Sequence, residues 1–209
     1  MVSHGQGGAL RGRTAALSIV PLRLLAAGLV LCALCVTWLA GAEEASVPPS
    51  VQATLIGKVA GYDKNFLQRA GERARVLIVT ARGDVDSSRM GRQLQAALGE
   101  IDRIGGLPHE EVMIEYADAP SLASACRDQH AAIVYLTVGM GRELEAIGKA
   151  LDGVSTLTVG AVGGYAAKGA VIDLFSEGGK PKITLNLPQA RKQQVALAPE
   201  VVRIMRVIE

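Results

Sequence analysis

Apolar runs, amphipathic stretches and glycine-rich breaks alternate along the chain, and their periods differ enough to assign elements. Residues 24–39 (LLAAGLVLCALCVTWL) form an uncharged run with Arg11, Arg13 and Arg23 before it and Ala40, Gly41 and Ala42 after it. Positive, then apolar, then small is the order of an export leader, with cleavage expected between Ala42 and Glu43. The run is long for a leader, so an uncleaved anchor is the alternative reading of residues 1–42. In either case the arginines stay on the cytoplasmic side and the rest is translocated, which predicts a periplasmic body. Residues 43–50 (EEASVPPS) hold two prolines among small polar residues and read as a linker, leaving 51–209 as the folded body.

In that body, Leu55, Val59, Tyr62, Phe66 and Leu67 recur at helical spacing, which predicts an opening amphipathic helix across residues 51–70. Residues 75–81 (RVLIVTA) read as a strand buried on both faces. After a break at 83–87, Met90, Leu94, Ala97, Leu98, Ile101 and Ile104 mark a helix face that Gly105 and Gly106 end. Residues 111–116 predict a second strand. Asp118 then caps a helix with Pro120 in its first turn, and 131–138 (AAIVYLTV) predicts a third strand. A turn at 139–141, a helix over 143–151 and a strand over 154–159 continue the alternation, which implies a largely parallel sheet covered on both faces.

The style then changes. Residues 170–175 (AVIDLF) and 182–187 (KITLNL) flank a turn containing Gly178 and Gly179, which predicts a hairpin, and Pro188 suits the first turn of a C-terminal helix carrying Val201, Val202, Met205 and Ile208. The expected fold is a single-domain α/β three-layer sandwich. It has a mixed sheet of about six strands, a C-terminal hairpin, and helices on both faces.

Charge alters the picture once the leader is set aside. The chain carries a net +2, but Arg11, Arg13 and Arg23 are unmatched by any acid before Glu43, so the body carries −1. With the only Trp in the leader, and just two Phe and four Tyr, the body lacks the basic patch and stacking platforms of a nucleic-acid binder. Cys32 and Cys35 are leader residues, so Cys126 stands alone in the body and an internal disulfide is excluded there.

Candidate chemistry is sparse. Cys126 and His130 are four apart, but two ligands make no zinc site, and a buried Cys beside a surface His is the plainer reading. His109 follows a proline in an expected loop. Glu110 with Glu111, and Asp84 with Asp86, read as solvated loop charges, and Lys180 and Lys182 as guards of an edge strand. Neither the glycines at 139–141 nor those at 160–164 complete a dinucleotide or P-loop fingerprint. Asn186, polar in an apolar hairpin, is expected to tie down neighbouring backbone. No catalytic, metal or cofactor site is predicted.

Residues 158–206 carry a recognisable order of features: Gly163, Gly164 and Tyr165 in a turn, Gly169 before Val171 and Ile172, a hairpin through Gly179, then Leu185, Asn186, Leu187, Ala190 and Arg191. This segment resembles the C-terminal half of YfiR-like periplasmic regulators, and the leader, opening helix and 131–136 strand fit as well. Two features depart from that family: Tyr62 to Phe66 stand where a Trp-Pro pair is common, and redox-responsive cysteine pairs are missing. The resemblance implies a non-catalytic protein that binds the sensory domain of an inner-membrane diguanylate cyclase, restraining cyclic-di-GMP signalling and biofilm formation. A homodimer stays open. The alternative is a periplasmic small-ligand sensor or solute-binding protein using loops near 83–87 and 139–142.

Overall fold

The structure, a computed structural model, describes residues 47–209; the expected leader and its cleavage point at Ala42 and Glu43 lie outside the described residues. Order begins earlier than the expected linker allows. Val47 is buried and its carbonyl accepts from Gln52 Nε2 at 2.7 Å, and α1 (Pro49–Gly61) starts on two prolines that supply a preset φ.

The opening helix is two helices, because the chain turns at Asp63 before α2 (Phe66–Ala70). The Asp63 carboxylate accepts from Asn65 N–H at 3.1 Å and from Ala196 N–H at 2.9 Å, an arrangement that a continuous helix would forbid. Then come β1 (Ala74–Thr80), α3 (Val85–Gly99), β2 (His109–Glu115), α4 (Ala119–Asp128), β3 (Ala131–Leu136), α5 (Leu144–Ala150) and β4 (Leu157–Gly160). α3 stops at Gly99, short of the expected Gly105, and Ile104 reaches the core from a turn that its own backbone closes with Leu107.

A short 3-10 turn (Ala166–Lys168) leads to β5 (Ile172–Glu177), β6 (Lys180–Asn186), α6 (Leu187–Lys192), α7 (Pro199–Val202) and β7 (Arg206–Ile208). The C-terminal region is therefore two short helices and a seventh strand, where one helix was expected. Gln194 at φ 57 breaks the helix, and the backbone at 196 is drawn to Asp63. The three-residue β7 then pairs parallel with β6.

The seven strands lie in the order β2-β1-β3-β4-β5-β6-β7. Pairings from β2 through β5 are parallel, and the β5–β6 hairpin turns the last part of the sheet over. Alternate residues of β1 and β3 face two separate cores. Val76, Ile78, Ile133 and Tyr135 pack with Ile56, Phe66, Leu94 and Leu98 from α1, α2 and α3. Leu77, Val79, Val134 and Leu136 pack with Leu122, Cys126 and Ile147 from α4 and α5. Buried on both faces, these strands need continuous apolar sequence, which they have. The Tyr135 hydroxyl donates to Gln52 Oε1 at 2.7 Å, fastening α1 to the central strand.

Candidate functional site

The strand order reverses between β1 and β3, and in open α/β sheets ligands sit beyond the carboxyl ends of strands at such a point. Here a cleft of about 580 Å³ lies there, lined by Ala81 and Arg82 after β1, Tyr116 and Asp118 after β2, and Gly139, Met140, Arg142 and Glu143 after β3. Its walls are cross-tied. Ser87 Oγ, buried at the start of α3, accepts from Ala81 N–H at 2.7 Å and meets Thr137 Oγ1 at 2.6 Å, and Thr137 Oγ1 donates to the Val79 carbonyl at 2.8 Å. Gly139 adopts φ +85, and a Cβ there would stand 2.7 Å from Asp84 Oδ2, so the loop closes tightly over the helix cap.

The electrostatics are mixed in sign. Asp84 and Asp118 cap α3 and α4, accepting from the first-turn amides that would otherwise hold an anion. Ser121 N–H holds the Asp118 carboxyl below the usual range. Burial first, then the Glu143 carboxylate, pushes the Tyr116 hydroxyl up. The cleft therefore offers two arginines, two carboxylates and a phenol, suited to orienting a polar ligand or a partner loop.

The family-motif positions serve this end of the molecule unequally. Tyr165 is buried, donating its hydroxyl to the Thr137 carbonyl at 3.1 Å and accepting from Met140 N–H at 3.2 Å, which fixes the cleft floor. Gly164, at φ +85, and exposed Gly163 make the turn before it. Gly169 lies against α5, where a Cβ would fall 2.7 Å from the Leu144 carbonyl oxygen. Asn186 donates from Nδ2 to the Ala166 carbonyl at 2.8 Å, accepts from Gln189 N–H at 2.9 Å, and caps α6. Arg191 is exposed on α6. None of these positions lines the cleft itself; Tyr165 acts on it from behind, through the backbone of Met140. Ser87 and Thr137 escaped the sequence reading because a buried hydroxyl pair leaves no spacing signal.

At the opposite end of the strands, Cys126 and His130 line a second cleft of about 520 Å³ with Arg69 and Ser155. Burial pushes the Cys126 thiol up to about 12, so it stays protonated and is a poor nucleophile. The expected loop histidine, His109, instead opens β2, with Nδ1 against Glu111 Oε1 at 2.5 Å and Nε2 against the Ile101 carbonyl at 2.7 Å. Among the described residues no group of three or more His, Cys, Asp or Glu is placed to hold a metal ion, and no helix is long and apolar enough to cross a membrane.

No curated protein matches the chain. Among solved structures, a conserved domain protein from Vibrio cholerae O1 biovar El Tor superposes with a TM-score of 0.54 at 14% identity, over 79% of this chain and 61% of that one. The ABC domain from Streptococcus pneumoniae, solved with L-Trp, gives 0.54 at 10% identity over 77% and 62%. CD0873, a substrate-binding protein with adhesive properties from Clostridium difficile, gives 0.52 at 10% identity over 70% and 58%. The chain thus spans about three fifths of these structures, and at such identities the likeness is one of α/β fold. A family model described as YfiR/HmsC-like matches residues 50–206, from the first turn of α1 to the start of β7. On that match the chain belongs to the YfiR/HmsC-like family.

Proposed function

We propose that the chain is an exported, non-catalytic regulator that binds the periplasmic sensory domain of an inner-membrane diguanylate cyclase and restrains cyclic-di-GMP signalling, and with it biofilm formation. The observation that carries this reading is the family match over residues 50–206, since the family consists of periplasmic regulators of diguanylate cyclase signalling. The chemistry of the interior supports it. Cys126 is held protonated, and Ser87, Thr137 and Tyr165 spend their hydroxyls on backbone and on one another. Redox control through a cysteine pair is not part of the proposal, because Cys126 is the one cysteine of the body.

Deleting the gene is expected to raise cellular cyclic-di-GMP, and photo-crosslinking from Arg142 in intact cells to capture an inner-membrane cyclase. Unchanged cyclic-di-GMP together with capture of no cyclase would refute it. A second reading, that a small ligand modulates the protein, draws on the cleft at the β1/β3 reversal. It predicts a thermal shift with one metabolite that Arg142→Ala removes while far-UV circular dichroism is unchanged; a shift that survives the substitution counts against it.

A further inference from the structure

The second cleft, at the amino ends of β3 and β4, is built from separate segments: Arg69 comes from α2, Cys126 and Arg127 from α4, His130 from just before β3, Ser155 from the approach to β4, and Gln194 from beyond α6. Its volume of about 520 Å³ suits a small metabolite. Two of these residues stand where the backbone favours glycine. Among the described residues His130 and Gln194 are the only non-glycine residues with positive φ, at 51 and 57, and both line this cleft. Each lies one residue past a helix C-cap, His130 after Gln129 of α4 and Gln194 after Gln193 of α6. Glycine is the usual occupant there, because a Cβ is strained in the left-handed region. Strain of this kind gathers at ligand sites. The Gln194 carbonyl is held by Asn65 Nδ2 at 2.8 Å and by Arg69 at 3.0 Å, whereas the His130 ring makes no hydrogen bond to any other described residue.

The lining is rich in donors and poor in acceptors. The Arg69 side chain is 1% exposed and spends N–H groups on Asp63 Oδ2, Ser155 Oγ and the Gln194 carbonyl, and a guanidinium has more donors than those partners take up. Ser155 Oγ accepts from Arg69 Nε at 3.1 Å, which leaves its hydroxyl proton to be donated. No residue lining the cleft is acidic. Asp63 balances the charge of Arg69, but Arg127 forms no ion pair among the described residues and meets only Ser124 Oγ, at 3.4 Å. The cleft thus holds one uncompensated arginine beside unspent N–H and O–H groups.

We propose that this cleft binds a small organic carboxylate bearing no ammonium group, the carboxylate accepting from Arg127, Ser155 Oγ and Arg69, and the apolar end resting on Cys126 and Val154. Charge selects this class. A phosphate dianion brings more charge than one free arginine offsets, and the ammonium of an amino acid would lie among arginines with no lining carboxylate to receive it. The site is separate from the cleft at the strand reversal and stands independently of the cyclase reading.

Isothermal titration calorimetry of the full chain with isocaproate is expected to show saturable binding. Leucine, which adds the α-ammonium group, and inorganic phosphate should each bind at least about tenfold more weakly. Arg127→Gln should weaken isocaproate by about tenfold, as loss of a charge-assisted hydrogen bond does, while Arg142→Ala in the other cleft leaves it unchanged. His130→Gly separates ligand from scaffold: with the strain relieved its melting temperature should rise, and isocaproate binding should nonetheless weaken. Absence of isocaproate binding, or leucine or phosphate binding as tightly, would overturn the proposal. So would full binding by Arg127→Gln, and so would a His130→Gly chain that either keeps its affinity or melts lower than the parent.

Discussion

Asp63 and Arg69 form an ion pair with side chains 0% and 1% exposed, Oδ2 accepting from a guanidinium nitrogen at 2.6 Å. Arg69 also donates to Ser155 Oγ at 3.1 Å and to the Gln194 carbonyl at 3.0 Å, so one side chain joins three distant segments. Removing one partner leaves the other buried charge without its counter-ion. Arg69→Met is expected to cost about 3–5 kcal/mol in urea unfolding, and Asp63→Asn with Arg69→Gln clearly less than the two single losses added. Cys126 makes a separate, pH-dependent contribution. Burial raises its thiol from 9.0 to about 12, so below pH 9.0 both folded and unfolded chains keep the proton. Above that the unfolded chain ionises first, and stability falls as pH rises toward 12, by about 1.4 kcal/mol per unit of separation once fully titrated. Buried Tyr135 and Tyr165, also raised, act in the same direction at higher pH. Unfolding of Cys126→Ala followed from pH 8 upward should show a flatter decline than the parent; parallel curves would contradict the assignment.

Among the elements, the β5–β6 hairpin depends on the residue at its C-terminal end. Asn186 ends β6, caps α6, and reaches across to the 3-10 turn, while its own N–H donates to the Val171 carbonyl at 2.8 Å. Asn186→Ala is expected to lose about 1–2 kcal/mol, as caps do, and Asn186→Asp rather less because the accepting oxygen survives. Chemical denaturation of the two variants side by side tests the order. The end of β4 is equally specific. A Cβ on Gly160 would lie 2.4 Å from Tyr165 Cβ, so Gly160→Ala must push aside the ring that holds the Thr137 and Met140 backbone. Loss of stability with altered tyrosine fluorescence is the expected signature. Asn186 was readable in advance because a polar residue in an apolar alternation needs local partners. Tyr165 was singled out only through its place in a motif, since its partner carbonyl at Thr137 is distant in sequence.

Over the whole molecule, sequence period located the buried strands well. Residues of β1 and β3 are apolar on both faces, and no other element could bury them. It failed where three-dimensional neighbours override local pattern: Asp63 breaks an otherwise helical face, and β7 has two exposed residues of three and borrows its conformation from β6. The cleft at the strand reversal could be placed from the alternation of elements, but the buried Ser87–Thr137 pair behind it could not. Hydrogen exchange should follow the same division, slowest in β1 and β3 and fastest in β7 and the hairpin tip. The Asp63 carboxylate also has an implication for how the chain matures. Its acceptor Oδ1 waits for an amide 133 positions later, and Tyr62 receives Ala198 in the same way. A polypeptide made from its N-terminus onward cannot close that stitch until residue 196 is free to fold, so the turn between α1 and α2 is locked only after every strand from β1 to β6 has been made.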